Sequence, residues 1–160
     1  MKTNEPLPLA LVEILFVEDN PRDAEMTMRA LRKCHLADRL LWVKDGAEAL
    51  AFLQGRNALP GGQSEARPKL VLLDLKLPKV NGQEVLQRMK QDPRTSQIPV
   101  VVLTSSREER DIVRMYETGV NSYIVKPVNF ERFTEAISQL GMYWVTLNQP
   151  SATLEEGPSR

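Results

Sequence analysis

The chain has 160 residues, with 21 Lys+Arg balanced by 21 Asp+Glu, so its formal net charge is zero. That length supports one domain with a real core, and the charge balance excludes the basic profile of an autonomous nucleic-acid binder. The single cysteine, Cys34, and the single histidine, His35, exclude an internal disulfide, a cysteine-rich metal site and any triad or zinc site that does not use His35. His35 lies beside Lys33 and Cys34 at a helix end, which reads as a solvated C-terminal position. No apolar run approaches the roughly 20 residues of a membrane span. The opening MKTNEPLPLA lacks the long apolar segment of a signal peptide and reads as a loose tail over residues 1–11. A cytoplasmic, soluble, single-domain protein that engages no membrane and no nucleic acid is expected.

Val12–Val17, VEILFV, reads as the first strand and runs directly into Glu18-Asp19-Asn20. Asn20-Pro21 opens the first helix, with Asn as cap, Pro at the first helical position and Asp23 placed as a capping-box partner would be. Ala24, Met28 and Leu31 share one face of this helix, which ends near Cys34. Arg39–Val43 is the second strand, Asp45-Gly46 its exit turn, and Ala47–Leu53 a short helix. Gln54–Pro68, rich in Gly, Pro and polar residues, is longer than most connections in compact folds. It is read as a mobile loop or as an extension of the preceding helix by a turn, and it carries no chemical constellation.

The third strand is the centre of the pattern. In Lys69–Gly82, KLVLLDLKLPKVNG, the buried run Leu70–Leu73 delivers one carboxylate, Asp74, and Asn81-Gly82 closes the turn. Gln83–Lys90 is a helix with Val85, Leu86 and Met89 inward. Ile98–Leu103 is the fourth strand, ending in Thr104-Ser105-Ser106. Each of the two serines has a glutamate three residues on, Glu108 and Glu109, so a helix is predicted to start there and reach Thr118-Gly119. Ser122–Val125 is a fifth strand, ending in Lys126-Pro127. Asn129 caps a last helix from Phe130 to about Leu147, and a disordered polar tail is expected over residues 148–160.

Five strands alternating with five helices predict an α/β domain over residues 12–147, with a parallel sheet covered on both faces. All the strands of such a sheet end on one side, so Glu18, Asp19, Asp74, Thr104 and Lys126 converge. Three carboxylates together repel one another and raise each other's pKa, and a hard divalent cation relieves this. Mg²⁺ (or Mn²⁺) suits carboxylates, carbonyls and waters, shared with phosphate oxygens. Thr104 and Lys126 suit the remaining oxygens of a phosphoryl group, and an aspartate can be the nucleophile in phosphoryl transfer. Each element alone is weak: an acidic pair after a strand is often a helix cap, and Lys-Pro is more often a turn. The coincidence of four strand ends is specific.

On these residues, and on LDLKLPKVNG around Asp74, the chain from about Glu13 to Leu147 resembles the receiver domain of two-component response regulators. The resemblance implies a flavodoxin-like doubly wound sheet of order 2-1-3-4-5 with five helices. It implies phosphorylation of Asp74 by a sensor histidine kinase, and Mg²⁺ held by Asp19, Asp74, the backbone carbonyl of Lys76 and, through water, Glu18. Lys126 would pair with the phosphoryl across a cis Lys126–Pro127 bond, Thr104 and Ser105 would bind it, and Tyr123 would turn inward behind Thr104. Lys76 stands where many members carry Asn or Met, which puts an extra cation near the phosphoryl.

No helix-turn-helix or second catalytic domain follows the last helix, so a stand-alone receiver that signals by binding is expected, an enzyme only toward its own phosphorylation and dephosphorylation. A phosphorelay intermediate that passes the group to a histidine phosphotransfer protein is equally compatible with these residues. An interaction scaffold would need a broken acidic site. Phe133, Ile137, Leu140, Trp144 and Leu147 recur at helical spacing along the last helix, and Tyr143 adds a second aromatic. Packing on the sheet accounts for Phe133 to Leu140, but Tyr143, Trp144 and Leu147 run beyond the length needed to cross a sheet. A homodimer held by this helix is predicted, with or without the fourth helix and fifth strand. GMYWVTLNQP, together with the Gln54–Pro68 insertion, resembles the small receivers paired with bacterial phytochromes, which implies a bacteriophytochrome as the kinase. The downstream protein target is not legible.

Overall fold

The computed structural model describes residues 12–55 and 67–150. The expected tail over residues 1–11, the middle of the 54–68 insertion and residues 151–160 of the expected C-terminal tail lie outside them. Strands β1 (Ile14–Val17), β2 (Leu40–Val43), β3 (Leu70–Leu73), β4 (Val100–Thr104) and β5 (Ser122–Val125) form one sheet. All neighbours in it are parallel, in the order β2-β1-β3-β4-β5. The helices are α1 (Pro21–Lys33), α2 (Gly46–Leu53), α3 (Gly82–Gln91), α4 (Glu109–Thr118) and α5 (Phe130–Gly141). The expected fold is the observed one.

Side chains alternate across a strand, and here they feed two cores. Leu15, Val17, Val71, Leu73, Val100 and Val102 face α2 and α3, meeting Phe52, Leu86 and Met89. Ile14, Phe16, Leu70, Leu72, Val101 and Leu103 face α1 and α5, meeting Leu31, Phe133 and Ile137. β1 and β3 are buried on both faces along their whole length, which is why their sequence is continuously apolar.

The helix starts are set by side-chain caps. Asn20 Oδ1 accepts from the N–H of Arg22 at 2.9 Å and of Asp23 at 3.3 Å. Asp45 caps α2 through Glu48 N, Asn81 caps α3 through Glu84 N, and Asn129 caps α5 through Glu131 N. Each satisfies donors that the first helical turn leaves unpaired. His35 sits exposed in a left-handed conformation just past α1 (φ 59°), as a helix-terminating residue does.

Three expectations are corrected. α4 starts at Glu109, not at the serines: Ser106 Oγ donates to Asp111 Oδ2 at 2.7 Å, and Glu108 stands as N-cap with no side-chain capping bond. The serine hydroxyl is thus spent on a side chain of the first turn of α4, and the capping box does not form. In the last helix, Phe133, Ile137 and Leu140 are 2 %, 0 % and 8 % exposed. They are core residues packed on the sheet and are withdrawn from the interface. The helix does continue beyond them, as a π-helical turn over Met142–Leu147, where Tyr143 and Leu147 are 50 % and 68 % exposed. Finally, no peptide bond among the described residues is cis. Lys126–Pro127 takes the trans form that an X–Pro bond intrinsically favours, and the Lys126 side chain reaches the acidic site without the cis bond.

Candidate acidic site at the sheet edge

β1 and β3 are adjacent and end level with one another, Val17 opposite Leu73. The residues that follow them are therefore neighbours. Ligand oxygens of Glu18, Asp19 and Asp74 lie within 4.8 Å of one another. Glu18 is nearly enclosed, at 1 % exposed. Its backbone is fixed from both sides: its N–H donates to Val43 O at 3.1 Å, and its carbonyl accepts from the indole Nε1 of Trp42 at 2.8 Å. Asp74 is held by its own N–H, which donates to Val17 O at 3.1 Å.

The turn that leaves Asp74 is closed tightly. Gly82 N–H donates to Leu75 O at 2.9 Å, and a Cβ at Gly82 would stand 2.2 Å from Asp74 O. Lys79, in a left-handed conformation, reaches Asp45 Oδ2 at 3.4 Å and ties the turn to the start of α2. Lys76, between them, is exposed.

From the other side, Lys126 N–H donates to Thr104 O at 2.7 Å, which carries the β5 edge up to the site. The Lys126 ammonium donates to Glu18 Oε1 at 2.5 Å and to Asp23 Oδ2 at 2.9 Å, and stands 3.7 Å from Asp74 Oδ2. Burial works against this ammonium, but the bonds to Glu18 and Asp23 and the charge of Asp74 outweigh it and hold its pKa above the ordinary lysine value. Glu18 moves the other way from a normal carboxylate. Burial, then its contact with Asp74, pushes its pKa to about 8 against the opposing pull of Lys126.

Thr104 is buried, and its Oγ1 accepts from Ser106 N at 3.3 Å, whereas Ser105 is exposed. Tyr123 is half-buried against the α2–α3 core, and its hydroxyl donates to Ser106 O at 2.9 Å, fixing the β4–α4 loop. Burial raises its pKa.

The predicted residues Glu18, Asp19, Asp74, Thr104 and Lys126 thus meet at one edge. Two further participants were not singled out as such. Asp23 reads in sequence as a capping partner, but its side chain crosses to Lys126. Trp42 falls within the predicted second strand, Arg39–Val43. Its signal is the register that sets Trp42 opposite Phe16, two residues before Glu18.

The donor set fits a hard divalent cation. It offers only oxygens, three of them carboxylate groups, and one buried carboxylate oxygen, Glu18 Oε2, has no hydrogen-bond partner. Such an orphan is costly in an uncharged site and is relieved by a cation or by a water that one carries.

The family described as the response regulator receiver domain matches residues 14–138. The probable methanogenesis regulatory protein FilR2 of Methanothrix harundinacea (strain 6Ac) is 42 % identical over 136 residues, covering 85 % of each chain. Response regulator Rcp1 of Synechocystis sp. is 38 % identical over 140 residues, covering 87 % of this chain and 93 % of Rcp1. The crystal structure of its Mn²⁺-bound form superposes with a TM-score of 0.75 over 87 % of this chain and 98 % of that one. The bacteriophytochrome response regulator AtBRR is 52 % identical, with a TM-score of 0.64 over 87 % of this chain and 99 % of its own.

Proposed function

The chain belongs to the response regulator receiver domain family, and from that premise we propose that Asp74 accepts a phosphoryl group from the phosphohistidine of a sensor histidine kinase. The observation that carries this reading is the convergence of Glu18, Asp19, Asp74 and Lys126, with the ammonium 3.7 Å from the proposed nucleophile. An Asp74 carboxylate oxygen attacks phosphorus, the P–N bond of the donor breaks as the P–O bond forms, and the electron pair leaves with the imidazole. Lys126 supplies positive charge to the transferring oxygens. The Thr104 hydroxyl and the neighbouring Ser105 supply hydrogen bonds. Glu18, Asp19, Asp74 and the Lys76 carbonyl would hold Mg²⁺ or Mn²⁺, in line with the Mn²⁺-bound form of Rcp1. When bound, that ion offsets negative charge on the transferring group.

Phosphorylation then biases a two-state equilibrium. Thr104, drawn to the phosphoryl, pulls on the β4–α4 loop, and Tyr123 follows through its bond to Ser106. A bacteriophytochrome is the proposed kinase, supported by the identity with AtBRR, and the proposed location is the cytoplasm. Among the described residues no helix is long and apolar enough to cross a membrane. The exposed Met142, Tyr143 and Leu147 form the proposed homodimer contact, with Trp144 set edge-on to Tyr143 at 4.9 Å between ring centres and packed against the α1–α5 core.

One pair of measurements, calorimetric Mg²⁺ titration and sedimentation, tests both halves. Wild type is expected to bind one Mg²⁺ per chain and to sediment as a dimer. Asp19→Asn should lose about tenfold or more in Mg²⁺ affinity while staying dimeric. Tyr143→Ser combined with Leu147→Ser should be monomeric with normal Mg²⁺ binding. Unchanged Mg²⁺ affinity in the first variant contradicts the metal site, and an unchanged sedimentation coefficient in the second contradicts the interface.

A further inference from the structure

Asp23 has no work to do where the sequence places it. The first-turn N–H groups of α1 are served by Asn20 Oδ1, which accepts from both Arg22 and Asp23. The Asp23 carboxylate instead crosses from α1 to the end of β5, where Oδ2 accepts from Lys126 Nζ at 2.9 Å. An ammonium has three N–H donors. Two of those on Lys126 go to Glu18 and Asp23, while Asp74 Oδ2, at 3.7 Å, lies beyond hydrogen-bond reach. The Lys126 side chain is only 11 % exposed, so fixed protein acceptors, more than water, decide where its charge points.

We propose that Asp23 is a positioning residue that holds the Lys126 ammonium on the α1 side of the site in the unphosphorylated protein and competes for it with a phosphoryl group on Asp74. This rests on the reading of Asp74 as phosphoacceptor. A phosphoryl group carries more negative charge than the carboxylate it modifies and projects beyond it, so it draws the ammonium. Any contact present only in the resting state lowers the apparent affinity for a group that captures its partner. Asp23 thereby sets how firmly the resting state is favoured, from a helix that contributes no residue to the proposed metal or phosphoryl shell. Plain repulsion between Asp23 and the phosphoryl would act in the same direction, but it would not need Lys126.

Beryllofluoride in the presence of Mg²⁺ mimics a phosphoryl group on a carboxylate, and its affinity is measured by calorimetry in four proteins: wild type, Asp23→Asn, Lys126→Gln and the double variant. Asp23 is about one-third exposed, which limits the pair's strength, so Asp23→Asn is expected to bind about threefold to fivefold more tightly than wild type. In the Lys126→Gln background the same change is expected to have no effect. Equal or weaker binding by Asp23→Asn overturns the positioning role, and so does a gain of the same size without Lys126, which would mark plain repulsion. Failure of wild type itself to bind beryllofluoride would be a different result. It would overturn the phosphoacceptor reading, and the positioning role with it.

Discussion

Gly82→Ala is expected to lower the unfolding free energy by about 2–4 kcal/mol and to weaken Mg²⁺ binding along with it. The cause is local and steric. A Cβ at this position meets Asp74 O at 2.2 Å and Leu75 Cα at 2.8 Å, and both are backbone atoms that cannot rotate away. The segment that follows Asp74 must therefore move outward. That segment carries the Lys76 carbonyl and is fastened by the bond from Gly82 N to Leu75 O. Gly119→Ala provides the contrast. Gly119 ends α4 with φ +112°, and its nearest neighbours are flexible Lys90 side-chain atoms at 3.4 Å or more. Its cost comes from backbone conformation alone, about 1 kcal/mol, with Mg²⁺ affinity untouched. Urea denaturation and Mg²⁺ titration of the two variants read this directly. A Gly82→Ala protein as stable as wild type would contradict the close approach.

The second large effect is a dependence of stability on pH that the divalent ion reverses. Burial first, and Asp74 second, raise the Glu18 pKa from 4.5 to about 8. Between those two values the folded protein holds a proton that the unfolded chain has released. Stability therefore falls as pH rises through the window, by up to about 1.4 kcal/mol per pH unit for one proton. A divalent ion takes the proton's place, which makes stabilisation by Mg²⁺ grow with pH over the same range. In EDTA, denaturation curves recorded from pH 5 to pH 8 should show declining stability that Glu18→Gln flattens. Stability that rises with pH in EDTA, or a Glu18→Gln profile identical to wild type, would contradict the buried carboxylate pair.

How much of this was legible in the chain depends on the range of the interaction concerned. The strand ends were readable because β1, β3 and β4 are short, two-sided apolar runs, and a parallel sheet necessarily brings their ends together. That places Glu18, Asp19, Asp74 and Thr104 at one edge, and the short β5 brings Lys126 to the same edge. The direction of a side chain was less readable. Asp23 three residues after Asn20 fits a capping box by spacing, and nothing local says that an ammonium from β5 lies within its reach. The same limit applies at Ser106, where Asp111 takes the hydroxyl that the Ser-x-x-Glu spacing assigned to a helix start.

The last helix shows a different ambiguity. Apolar residues at three- and four-residue spacing mark a face, but spacing does not say whether the face meets this chain's own sheet or another molecule. Phe133, Ile137 and Leu140 meet the sheet. Tyr143 and Leu147, on the π-helical turn, are exposed instead. The isomer of Lys126–Pro127 lies beyond sequence altogether, since the intrinsic preference for trans is small enough for tertiary contacts to override.

The most direct test of the account is the chemistry of Asp74. Wild type and Asp74→Asn are incubated with acetyl phosphate, with and without Mg²⁺, and followed by intact mass. Wild type is expected to gain the mass of one phosphoryl group only when Mg²⁺ is present, and Asp74→Asn to gain none. Equal labelling of the two proteins would place the reacting group elsewhere and contradict the assignment of Asp74.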